Sequence, residues 1–158
     1  MFLILLLMVL VAAAIHASRL KEPSTPRIAE VFLLYLLVGY CGVPMLAFSL
    51  WNLLSPEKAA AHLDFPPGNP FQEFAGIAFL AMSLVSLLAI RYRRTFLIAP
   101  VVCWAVFFTG ATWIHLKDIH LKGALTHGLA LHVFATHGLI SILLVGALVA
   151  SGVLQQKA

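Results

Sequence analysis

Five of the seven histidines, His115, His120, His127, His132 and His137, lie towards the C-terminal end of the chain. Imidazole takes up and releases protons near neutral pH and ligates zinc, copper, iron and nickel. His132 and His137 fall inside an apolar run long enough for a bilayer. An ionisable group there is costly, so it faces a bundle interior or a wet cavity rather than acyl chains. A transition-metal site would draw three or four ligands from different helices. His115, His120 and His132 with Glu73 are candidates, and His127 and His137 are further polar groups of the same outward-facing pocket. A b-type haem instead needs axial ligands on opposing helices, and His115 with His132 is the pair at similar depth.

The spacing limits these readings. His127, His132 and His137 are five residues apart, steps of about 140° on a helix, so the three cannot share one face. The chain has no HExxH pattern and no histidine pair four residues apart. Glu73 also fits the first turn of a helix, where a carboxylate is favoured by the dipole, and Gln72 fits either a capping box or a place in the pocket. No nucleophile elbow, P-loop, dinucleotide fingerprint or paired-carboxylate arrangement is present, so catalysis is not indicated.

The elements that would position these groups are membrane helices. The composition is 62% apolar and 10% charged, with a mean hydropathy of +1.01, which excludes a soluble protein's balance. Several runs reach the roughly 20 apolar residues that span a hydrocarbon core. Runs of that length satisfy their backbone groups as helices. The expected fold is an all-α integral membrane bundle in one domain, with a four-helix core plus an N-terminal transmembrane helix, five spans in all. The expected helices cover about 2–18, 26–54, 70–90, 95–117 and 126–154, with a short surface helix over 56–63.

Local signals set these boundaries. No positive charge precedes the first apolar run, as a secretory signal would require, so it reads as a retained span. Thr25 and Pro26 read as an N-cap and a first helical residue, and Asn69 and Pro70 as a second such pair. Within 26–54, Gly42 and Pro44 predict a kink, because proline cannot donate to the carbonyl four residues back. Gly76, Ala78, Ala81, Ser83 and Ser86 offer small surfaces for close helix packing. Cys41 and Cys103 read as small buried hydrophobes, not as a disulfide or metal pair.

The net charge of +4 does not signal nucleic acid, because the basic residues sit at the ends of apolar runs. Arg19, Lys21, Arg27, Arg91, Arg93, Arg94 and Lys157 fall on one side, against Lys58, Lys117 and Lys122 on the other. The positive-inside rule then puts the N-terminus outside and the C-terminus in the cytoplasm.

At Gly68-Asn69-Pro70-Phe71-Gln72-Glu73 and Gly110-Ala111-Thr112-Trp113-Ile114-His115 the chain resembles an uncharacterised group of small bacterial inner-membrane proteins. These are four-helix bundles loosely akin to the DoxX-like families. The resemblance covers about residues 30–150 and leaves the first helix as an addition. Members carry an acidic residue two positions after the glutamine. Here Phe74 holds that place and Glu73 precedes it, whereas His115 matches. The resemblance implies fold and a multi-pass inner-membrane location rather than an activity.

The leading functional expectation is a non-catalytic membrane protein that binds a small ligand or metal ion in a histidine-lined pocket. It would contact the lipid bilayer and serve as a homo-oligomer or as an accessory subunit of a larger membrane complex. The alternatives are a redox subunit holding haem or quinone between the last two helices, and an oligomeric ion or proton transporter.

Overall fold

A computed structural model describes residues 2–62, 66, 70–121 and 133–155, and every regular element among them is helical. Gly68, Asn69, Lys122, His127, His132 and Lys157, which carried expectations above, lie outside the described residues. Helix α1 covers Phe2–Ser18. It is apolar around its whole circumference, and packing selects the inward face. Leu6, Val9, Ala13 and Ala17 are buried at helical spacing, while Ile4, Met8 and Val11 stay exposed, as suits contact with lipid.

One continuous helix follows over Thr25–Leu54. It comprises α2 (Thr25–Tyr35), a π-helical segment (Leu36–Gly42) and α3 (Val43–Leu54). Ser24, in extended conformation, holds the cap position and Thr25 is already helical, one residue off the expected N-cap; neither side chain caps. At the position of the expected kink the helix widens by a residue. Pro44 brings no N–H and crowds the carbonyl of Tyr40. The ladder is re-routed, and the Val43 N–H bonds to the Val38 carbonyl five residues back. The Val43 N–H thus stays paired, as hydrocarbon surroundings demand of a backbone donor. Glycine lets neighbours approach this segment. A Cβ on Gly39 would stand 3.1 Å from a Val9 methyl, and one on Gly42 would stand 2.9 Å from a Leu87 methyl.

Helix α4 (Pro56–His62) is the short surface helix, held by the buried Ala59 and Ala60. Helix α5 spans Phe71–Leu88, and Gln72, Gly76, Ser83 and Ser86 form its buried stripe. Ala78 and Ala81, expected to pack, face outward instead. A 3-10 turn at Arg94–Leu97 opens α6, which runs over Ile98–Leu121, beyond the end expected at 117. Ile119 anchors the added turn by being buried. A second π-segment, Phe134–Gly138, leads into α7 (Leu139–Ala150), and a short 3-10 turn follows at Val153–Gln155. Cys41 is buried as expected but Cys103 is exposed on α6; both are free thiols.

Packing closes four helical rods into a ring. α3 lies against α5, α5 against α6, α6 against α7, and α7 against α2, while α1 rests on α2 and both π-segments. Contacts running in opposite directions make neighbours antiparallel: Ser86 meets Trp104 while Phe79 meets Phe107, and Ser141 meets Ala105 while His137 meets His115. Three helices, Thr25–Leu54, Phe71–Leu88 and Arg94–His120, are long and apolar enough to cross a membrane. Leu3–Ser18 and Phe134–Ala150 are apolar but shorter.

Candidate functional site

The two π-segments meet in the interior. The Tyr40 hydroxyl, on the first, donates a buried hydrogen bond of 3.0 Å to the carbonyl of Thr136 on the second. A π-turn displaces backbone carbonyls from their usual partners and is a frequent mark of functional positions in helices. Here it turns a carbonyl towards a side chain from across the bundle. Tyr40→Phe keeps the ring and removes that donor. The expected loss is about 1 kcal/mol of stability, read as a lower unfolding midpoint in detergent.

Beside this contact lies His137. Its Nδ1 and the Thr136 hydroxyl are 2.8 Å apart, and Phe108 presents itself edge-on to the ring at a centroid distance of 5.9 Å. The Thr136 hydroxyl also lies 3.5 Å from the Val133 carbonyl. In the tautomer that carries its proton on Nδ1, the ring donates to the Thr136 oxygen, and Nε2 holds the lone pair with which a histidine ligates or accepts a proton. His115 comes from α6 to meet this ring, with centroids 5.3 Å apart and planes inclined at 53°. Two imidazoles bound to one tetrahedral ion at Zn–N distances of about 2.0–2.1 Å have centroids roughly 5 Å apart, so the separation suits two ligands of one cation. It is direct ring contact, not a pair of axial ligands facing each other across a macrocycle.

The other expected ligands do not join this pair. Glu73 is exposed on α5, and His120 is exposed a turn beyond His115. His127 and His132, and with the latter the expected haem pair His115–His132, fall outside the described residues. Among the described residues no three histidine, cysteine or acidic side chains gather as metal ligands would. Gln72, for which the sequence leaves both capping and a place in the pocket open, is turned inward and fully buried, and no side chain caps α5.

Sequence reasoning missed Tyr40, Phe108, Thr136 and Asn52. Of these, Asn52 carried a signal: an amide inside an apolar run needs a partner. Thr136 was marked only by standing next to His137, and the two aromatic residues were indistinguishable from ordinary core.

No match to the chain is found among curated proteins or among solved structures. A family model covers residues 1–157, so α1 belongs to the shared pattern instead of being an addition to it, and the chain is a member of DUF6790, a family of unknown function.

Proposed function

We propose that the protein is a five-span, non-catalytic membrane protein that binds a small ligand or metal ion at the end of the bundle where His115 and His137 meet. The observation that carries this is the approach of their rings to a 5.3 Å centroid separation. An isolated imidazole in a membrane bundle is satisfied by one neighbour. Two that converge from different helices, one of them oriented by the Thr136 hydroxyl, form the start of a coordination or hydrogen-bonding site. His115 is exposed and His137 half-buried, which supports exchange with the surroundings rather than a sealed structural site.

The shorter apolar helices α1 and α7 complete the five spans. Arg19, Lys21, Arg27, Arg91, Arg93 and Arg94 are all exposed at the opposite end of the bundle, which supports a cytoplasmic placement of that end and an outward placement of the histidines. The location we infer is a bacterial inner membrane, with the protein serving as an accessory subunit or homo-oligomer.

Equilibrating the solubilised protein with zinc, nickel or copper, followed by elemental analysis and an absorbance scan, tests the reading. The wild type should retain one of these ions. His115→Ala and His137→Ala should each weaken retention at least about tenfold, the scale on which even outer-shell partners of a metal act. A wild type that retains nothing, or variants that bind like the wild type, would overturn the metal reading.

A further inference from the structure

A second polar site lies in the α3–α5 hairpin. Ser49 donates to the carbonyl of Gly76 across this antiparallel pair, over 2.9 Å. Asn52 lies one turn further along α3 and Gln72 one turn back along α5, both towards the same end of the hairpin. The Asn52 Cβ lies 3.2 Å from where a Cβ on Gly76 would be, so Asn52 packs against α5 one turn from Gln72. Both amides are fully buried, at 0% and 1% exposure, and α4 adds the buried Ala59 and Ala60 at this end.

The Asn52 amide spends a proton on the carbonyl of Phe48, which identifies its nitrogen and leaves Oδ1 as an acceptor. That Oδ1 and the Gln72 Nε2 are buried without a hydrogen-bond partner among the described residues. An orphaned buried polar atom costs about 1–3 kcal/mol, and here two of opposite kind lie on facing helices at the same end of the hairpin. A single neutral group that accepts from Nε2–H and donates to Oδ1 satisfies both. An anion or a ketone only accepts, and an ammonium only donates. A hydroxyl does both.

We infer that Asn52 and Gln72 together hold one hydroxyl guest, either a water molecule or the alcohol group of a lipid or small ligand. The site is independent of the histidine pair, although it lies at the same end of the bundle.

The test is a nuclear Overhauser measurement on the full chain in detergent, with glutamine side chains labelled with nitrogen-15 and the Gln72 signal assigned by its disappearance in Gln72→Met. The Gln72 amide protons should show a cross-peak to a bound hydroxyl, and Asn52→Leu should abolish it. A cross-peak at the water frequency identifies water. A cross-peak at a separate frequency, with added mass in native mass spectrometry that delipidation removes, identifies an alcohol. Both outcomes support the site. Absence of any hydroxyl cross-peak in the wild type, or its persistence in Asn52→Leu, would overturn it.

Discussion

Trp104→Ala is expected to destabilise the protein by about 3–5 kcal/mol, the range for removing a fully buried tryptophan. Trp104 is completely buried on α6. Its indole stacks on Phe108 at 5.3 Å and lies nearly parallel to Phe79 at 6.4 Å, and Phe107 closes the cluster edge-on. In a membrane the apolar solvent gives helices no hydrophobic reason to associate, so van der Waals packing carries much of the association energy. A void here forfeits contacts on three sides. The indole N–H adds a 2.7 Å hydrogen bond to the Ser86 hydroxyl, which in turn donates to the carbonyl of Met82. Trp104→Phe retains most of the stacking and leaves Ser86 bonded to its own helix. Its expected cost is therefore nearer about 1 kcal/mol. Unfolding midpoints in mixed micelles separate the two variants, and an alanine variant as stable as the phenylalanine one would show that the cluster is not what joins α5 to α6. Phe108 touches both Trp104 and His137, so the alanine variant should also weaken ion retention at the histidine pair.

The helical rods were legible because their ends are written in charge and proline. Arg19 and Lys21 close α1, Pro26 opens α2, and the run from Arg91 to Arg94 separates α5 from α6. The inward faces were much less legible. In a soluble helix, polar residues mark the outside; in lipid both faces are apolar, and polarity tends to mark the inside. The rule finds Ser83, Ser86 and Gln72, all buried, but says nothing about Ala78, Ala81 or Cys103, which face outward. The histidines were legible as a group but not as pairs. Depth counted along straight helices set His115 level with His132, which lies outside the described residues; among those described, the ring His115 meets is that of His137. His137 itself stands in the π-segment Phe134–Gly138, which no proline announces. The proline-linked π-segment, by contrast, falls where Gly42 and Pro44 disturb the helix.

Gly76→Ile should be the other severe substitution, costing about 3 kcal/mol, at the upper end of ordinary overpacking. A Cβ at this position would stand 2.9 Å from Cγ of Leu53, 3.0 Å from its Cδ2 and 3.2 Å from Cβ of Asn52. Two of those atoms belong to a side chain that can swing; the third is fixed to the backbone of α3. Gly76→Ala adds one carbon, and the helix propensity it gains, about 1 kcal/mol, offsets the adjustment of Leu53. A β-branched side chain adds bulk where only rotation of Leu53 makes room, and its own rotamers are restricted by the helix. The helices must then part, which stretches the 2.9 Å bond from Ser49 to the Gly76 carbonyl and draws Asn52 away from Gln72. A near-neutral alanine and a destabilised isoleucine, measured by thermal unfolding in detergent, are the expected pair. Equal, small effects from both would mean that α3 and α5 do not approach as closely as this geometry requires. The isoleucine variant should also lose the Gln72 hydroxyl cross-peak while retaining ions at His115 and His137, because the hairpin and the histidine pair are built on different helix contacts.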